Sequence, residues 1–296
     1  MTLLNPPSRL LGRVNAIMST TSVPYVVDDF PGALSIKWMA AGWGIWETDS
    51  GYYRVDPTCY LVLNHGHVYT LSIETDEPRE AFCPFFAAGF VEGAHAALTV
   101  RVPSLLDDPD GLARSSVMFS EHLRPVDDGV MAELRRMRAG VRSAVASTAW
   151  LEDRFHGLAE RLLLAEKSVR RQVATVPAVR AGTRQELYRR LSRGRDYLHA
   201  SFSERLTLAA IAREARLAPH HFHRLFRRAF GKTPHDYLVG LRIARARTLL
   251  STTEMPVTEI CFEVGFESLG SFSTLFRREV GAAPTTFRRM VRSNRN

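Results

Sequence analysis

Residues 219–230 read PHHFHRLFRRAF and crowd six hydrogen-bonding side chains into about three turns of chain. Phe222, Leu225, Phe226 and Ala229 recur at helical spacing and define an inward apolar stripe, which leaves His220, His221, His223, Arg224 and Arg227 pointing outward. A guanidinium at such a position can donate two parallel hydrogen bonds to O6 and N7 of a guanine, and arginines further along can neutralise phosphates. A second set of residues could bind a metal. His65-Gly66-His67 pairs two imidazoles, but positions 70 to 72 are Thr, Leu and Ser, so the acid expected to complete the set is missing and Glu74 comes too late. No metal site and no cofactor is expected. Three cysteines, Cys59, Cys83 and Cys261, are scattered without a CxxC spacing, so neither a zinc site nor a disulfide framework is suggested; Cys261 falls on an apolar helix face and reads as core.

The elements that would carry the outward residues come in two copies. The sixteen-residue pattern from Phe222 to Tyr237 returns fifty residues later from Phe272 to Phe287. Phe222, Leu225, Phe226, Arg227, Arg228, Gly231 and Pro234 recur as Phe272, Leu275, Phe276, Arg277, Arg278, Gly281 and Pro284. Upstream the match runs one residue out of step, with Leu208, Ile211 and Ala215 answering to Val257, Ile260 and Val264. Each copy predicts helix, tight turn, helix: Thr207 caps the first helix, Pro219 opens the second, and Gly231 stops it. The two copies, about 207–230 and 257–280, are joined by a helical stretch through Tyr237 and Leu250. A short helix pair with a sharp turn is the geometry that places its second helix in the major groove of DNA.

These residues resemble the DNA-binding domain of AraC/XylS-family transcription regulators. The resemblance rests on LTLAAIAREARLAPHHFHRLFRRAFGKTPHDYL, then LRIARARTLL, then VTEICFEVGFESLGSFSTLFRREVGAAPTTFR, and covers roughly residues 187–291. It implies base reading by His220, His223 and Arg224 in the first unit and by Leu269, Gly270, Ser271 and Thr274 in the second. Phosphate contacts are expected from Arg227, Arg242 and Arg277. Because Leu269, Gly270, Ser271 and Thr274 are small or apolar, the second helix offers few hydrogen bonds to bases. It is expected to contribute phosphate contacts and van der Waals contact with thymine methyls.

Charge is divided in the same sense. Residues 184–296 hold 21 basic and 10 acidic side chains, whereas residues 1–130 hold 8 and 16. A basic C-terminal part suits phosphate binding, since each neutralised phosphate releases counterions. Of the basic residues only Lys37, Lys167 and Lys232 are lysines, so individual arginines are weak markers of contact.

With 296 residues and 45% hydrophobic content the chain has material for two cores. No stretch of eighteen apolar residues and no leader pattern occurs, so a cytoplasmic protein without a membrane span is expected. From Leu34 to Phe86 short runs (LSIKWM, GWGIWET, GYYRV, CYLVLN, VYTLSIE, AFCPFF) alternate with turn-rich segments, among them Ala40–Gly42, Asp49-Ser50-Gly51 and Asp76–Pro78. This predicts an antiparallel β-sandwich or barrel. Val130–Val145 and Trp150–Val173 are amphipathic helices, and Val173–Thr183, with Pro177 and Gly182, reads as a linker.

The expected fold class is α+β: an N-terminal antiparallel β-barrel or sandwich with trailing helices, cupin-like by a weaker resemblance of YRVDPTCYLVLNHGHVYTLSI, and a C-terminal all-α tandem helix-turn-helix domain. The expected domains are 1–130 for effector sensing, 131–183 as a helical hairpin and linker for dimerisation, and 184–296 for DNA binding. Trp38, Trp43, Trp46, Tyr52, Tyr53, Tyr60 and Tyr69 could line a pocket or simply fill a core. The long apolar faces of the two helices predict a homodimer, with an intramolecular hairpin as the alternative that hides them equally well. The resulting expectation is a bacterial, non-enzymatic transcription regulator, an activator by family habit. Its partners would be double-stranded DNA, RNA polymerase by family implication, and a small-molecule effector of unknown identity. An effector-independent oligomerising adaptor and a cupin enzyme with an appended DNA-binding module are the alternatives.

Overall fold

The structure is a computed structural model that describes residues 2–22, 25–73, 79–99, 117–125, 129–143 and 146–293. Glu74, the expected Asp76–Pro78 turn and the Ala144–Val145 end of the first amphipathic stretch lie outside the described residues. The chain folds as two compact units, one up to Arg171 and one from Gln172.

The first unit contains eleven described strands: β1 (Thr2–Leu4), β2 (Asn15–Ser22), β3 (Tyr25–Pro31), β4 (Ser35–Lys37), β5 (Met39–Ala41), β6 (Gly44–Thr48), β7 (Gly51–Val55), β8 (Cys59–Leu63), β9 (Val68–Ile73), β10 (Arg79–Phe85) and β11 (Leu123–Pro125). They form a sheet ordered β1-β2-β10-β4-β8-β11, with β5 also on β10, and a four-stranded sheet ordered β3-β9-β6-β7. Pairing is antiparallel except for β1 on β2, which is parallel. Three of these strands precede Leu34, ahead of the stretch from which strands were expected.

Strand β8 shows how the larger sheet is used. Tyr60 and Val62 pack on one side with Ile36, Phe82 and the helices, while Cys59, Leu61 and Leu63 pack on the other with Trp46, Tyr53 and Ile73 of the smaller sheet. Side chains alternate across a strand, so a continuous apolar run fits a sheet buried on both faces. The covering helices are α1 (Phe90–Thr99), α2 (Val130–Arg142) and α3 (Thr148–Thr175). Leu134 and Met137 of α2 and Leu151, Phe155, Leu158 and Leu162 of α3 share one cluster with Trp38, Phe82 and Phe86. Each such side chain contributes about 1.5–3 kcal/mol on burial.

The two amphipathic helices therefore do not stand apart as a domain of their own, and the packing has no boundary at 130. The apolar faces expected to pair two copies of the chain are buried against the sheet within this unit. Glu80 fastens α2 through a two-pronged ion pair with Arg138 at 2.6 Å, which holds its carboxyl below the usual carboxylate range. Buried Glu133 receives Arg154, Arg136 and Arg161, and buried Arg124 meets Glu166 of α3 at 2.5 Å.

The second unit is helical. It comprises α4 (Ala181–Ala200), α5 (Leu208–Glu214), α6 (Pro219–Phe230), α7 (Pro234–Thr252), α8 (Val257–Glu263), α9 (Leu269–Val280) and α10 (Pro284–Ser293). It begins before the expected linker ends. Tyr188 donates to Gln172 at 2.7 Å, Arg228 donates to the carbonyl of Thr175 at 2.7 Å, and Val176 is buried.

Candidate nucleic-acid interface

Helices α5 and α6 form the first helix-turn-helix, and α8 and α9 the second. In α5 the Thr207 side chain accepts from the Ala210 amide at 3.2 Å, and in α9 Ser268 does the same for Ser271. Helix α6 uses Pro219 at its first turn instead, where a missing N–H costs nothing. Helices α6 and α9 both stop at a left-handed glycine, Gly231 and Gly281.

The turns explain the one-residue slip between the copies. In each, a residue with positive φ follows the first helix: Arg216 at 51° and Gly265 at 89°. The next amide then reaches back five residues, from Leu217 to Ala212 and from Phe266 to Cys261. The first turn passes directly to its helix, whereas the second inserts one more residue before Leu269. Gly265 is needed for space as well as for φ, because a Cβ there would lie 2.6 Å from the Ser203 carbonyl oxygen.

Packing fixes which face of each second helix is free. Phe222, Leu225, Phe226 and Ala229 of α6 are buried, and His220, His223, Arg224 and Arg227 are exposed at spacings of three, four and seven. His221 is half-buried. On α9, Phe272 and Phe276 are buried and Leu269, Gly270, Ser271, Thr274 and Arg277 are exposed. Part of Ser271 is committed to the cap, since its hydroxyl lies 3.0 Å from that of Ser268. The tandem arrangement thus brings both expected sets to exposed helix faces.

Arg242 has a structural task beside the phosphate contact expected of it. It donates from Nε to the carbonyl of Phe202 at 2.7 Å and from a terminal nitrogen to that of Glu204 at 2.8 Å. Half-buried on α7, its guanidinium is pushed below its ordinary value by desolvation. It pins the segment before α5 with two of the five guanidinium donors.

Helix α4 supports the first helix-turn-helix in a way the sequence did not announce. Gly194 lets it approach α6 so closely that a Cβ would meet the Phe222 ring at 2.6 Å. A glycine inside a helix reads locally as a weak helix former, and only the crossing shows its use. His199 of α4 and the Tyr237 hydroxyl of α7 lie 2.8 Å apart, which ties both to the same core.

The two copies differ in charge. Residues 207–230 carry five arginines and one acid, Glu214, whereas residues 257–280 carry Arg277 and Arg278 against Glu259, Glu263, Glu267 and Glu279. The first copy attracts a polyanion and the second does not do so by itself.

In the first unit His67 pairs with Glu121 at 3.0 Å, and Ser50 donates to the same carboxylate oxygen. Among the described residues no group of three or more His, Cys, Asp or Glu is placed to hold a metal. Of the aromatics considered for a pocket, Trp38, Trp46, Tyr53, Tyr60 and Tyr69 are buried in the two cores, while Tyr52 is exposed. Between the sheets Lys37 is fully buried, its amine donating to the Tyr69 hydroxyl at 2.9 Å and lying over the rings of Tyr69 and Phe85. Among the described residues no helix is long and apolar enough to cross a membrane.

Comparison with known proteins bears on the second unit. A family model described as a helix-turn-helix domain matches residues 211–290. The HTH-type transcriptional activator RhaS of Escherichia fergusonii is 40% identical over 92 residues, which are 31% of this chain and 33% of RhaS. The bifunctional transcriptional activator/DNA repair enzyme AdaA of Bacillus subtilis is 33% identical over 95 residues, 32% of this chain and 45% of AdaA. A solved structure of the DNA-binding domain of AdpA with a target DNA is 28% identical, covers 36% of this chain and 95% of that one, and has a TM-score of 0.35. The chain thus spans between a third and a half of these two curated relatives. Over the span they share, the C-terminal unit of this chain is an AraC-type helix-turn-helix domain.

Proposed function

We propose that this chain is a sequence-specific DNA-binding transcription regulator, and an activator as RhaS and AdaA are named. The observation that carries the reading is the exposed row His220, His223, Arg224 and Arg227 on α6, set opposite four buried apolar residues within a helix-turn-helix. Arg224 is assigned to a guanine, His220 and His223 to neighbouring base edges, and Arg227 and Arg277 to phosphates. Leu269, Gly270, Ser271 and Thr274 give the second helix shape and methyl contacts. The acid surplus of the second copy adds to this lopsidedness. Helices α6 and α9 of one chain are assigned to successive major grooves, about 34 Å apart.

The β-sheet unit is assigned to sensing a small molecule, RNA polymerase is the expected partner at the promoter, and the cytoplasm the expected compartment. A homodimer has to use a surface other than the buried faces of α2 and α3. A repair activity like that named for AdaA needs a reactive thiol, and Cys59, Cys83 and Cys261 are all buried, which speaks against it. Selection of bound duplexes from randomised DNA tests the reading. The expected result is a site strongly specified under α6 and weakly under α9; an equally strong or stronger second half-site overturns the assignment of the reading helix.

A further inference from the structure

We infer that DNA binding by this chain is coupled to proton uptake at His220 and His223, so that its recognition helix responds to pH across the neutral range. The inference rests on the reading of the chain as a DNA-binding protein and deepens it. Imidazole is the side chain whose ordinary titration falls near neutrality. His220 and His223 are exposed, one helical turn apart, on the same face as Arg224 and Arg227. Helix α6 contains no Asp or Glu that could supply a counter-charge from within.

The charged groups on the elements packed around α6 are arranged alike. On α5 and its turn stand Arg213, Glu214 and Arg216; on α4 stand Arg184, Glu186, Arg189, Arg190, Arg193, Arg195, Asp196 and His199; on α7 stand His235, Asp236, Arg242, Arg245 and Arg247. Glu186 is held by Arg189 and Arg190, Asp196 lies 3.7 Å from Arg195, and Asp236 accepts from Thr233. Glu214 is exposed at the end of α5, ahead of the turn into α6. The main negative charge brought close to His220 and His223 is therefore that of the DNA. A phosphate within about 4–6 Å favours the protonated imidazole. Protonation also turns each ring into a donor at both nitrogens, which suits a phosphate oxygen or the acceptors of guanine.

The linkage has a definite sign. Binding that adds protons grows tighter as pH falls. An imidazole lifted by about one unit on binding raises affinity roughly sixfold between about pH 8 and pH 6, and two raise it roughly thirty- to fortyfold.

The test uses the full chain and a labelled mixed-sequence duplex long enough for two successive major grooves, at constant ionic strength across that range. Wild type should tighten by the stated factor, and the His220→Gln, His223→Gln double variant should be nearly flat. Arg224→Ala should bind more weakly yet keep the wild-type pH dependence. Wild-type affinity that does not change with pH, or a double variant that keeps the full change, overturns the inference while leaving the regulator reading intact. Absence of DNA binding at every pH overturns both. Calorimetry of the wild type in two buffers of different ionisation enthalpy gives the same answer without a variant: about one proton taken up near neutral pH, roughly half from each ring, supports the coupling, and none refutes it.

Discussion

Lys37 makes the alkaline stability of the first unit a measurable consequence of its core. The amine is only 1% exposed, and burial lowers its pKa from 10.5 to about 8. In the unfolded chain it keeps its proton to the ordinary value, so between those two values the unfolded state binds more protons. Stability from this group therefore rises with pH, starting near pH 8. The shift of about two and a half units corresponds to roughly 3 kcal/mol in full, of which about 1 kcal/mol is recovered between pH 7 and pH 9. Cys83 works the other way, since burial raises its thiol and the unfolded chain ionises first. A Lys37→Met variant keeps the burial part of that effect and loses the lowering that Lys37 exerts on the thiol.

The assay is equilibrium urea unfolding followed by tryptophan fluorescence. All four tryptophans, Trp38, Trp43, Trp46 and Trp150, belong to the first unit, so the full chain can be used. At pH 7 three effects compete in the variant. Relief of the buried charge favours it by about 3 kcal/mol, while the two ring contacts of the amine and an orphaned Tyr69 hydroxyl each cost about 1–2 kcal/mol. These nearly cancel, so the pH slope is the informative quantity. Wild type should gain about 1 kcal/mol on the variant from pH 7 to pH 9. Parallel curves for the two proteins would show that Lys37 is not held charged in a dry interior, and the reasoning fails.

Binding measurements on selected DNA should give a loss of about 1–3 kcal/mol for Arg224→Ala with relaxed preference at one or two base pairs. Thr274→Ala should cost less and leave preference nearly unchanged, while Arg277→Ala should weaken all sequences alike; a preference change at Arg277 contradicts its phosphate role. Gly265→Ala should destabilise the second unit by about 2–4 kcal/mol, because it adds a steric clash with Ser203 to the left-handed strain. Gly281→Ala, at φ 85° with nothing within 4 Å, should cost only about 1 kcal/mol, and equal losses in thermal melts would refute the clash. A fragment 172–296 should exceed 184–296 in stability by roughly 3 kcal/mol, the worth of two hydrogen bonds and buried Val176. Both fragments should lose DNA affinity steeply with salt, with a slope near −0.9 per phosphate contacted.

The helix-turn-helix pair was legible in the residues because its signals are local. Helical period, an N-cap, a proline and a stopping glycine each act within a few residues, and repetition fifty residues on makes chance agreement improbable. The β-class of the N-terminal part was legible for a similar reason, in short runs between turns. What the sequence could not decide depends on partners distant in the chain. Whether the apolar faces of α2 and α3 meet a second copy or their own sheet is invisible in their period, since both choices bury the same side chains. Arg242 and Arg227 are alike as residues in a basic helical domain; only the arrival of the Phe202 and Glu204 carbonyls, forty and thirty-eight residues away, gives Arg242 a task in the fold. Gly194 and Lys37 show the same limit. A glycine that makes room for Phe222, and a lysine enclosed between two sheets, owe their meaning to close approach of elements that local sequence does not encode.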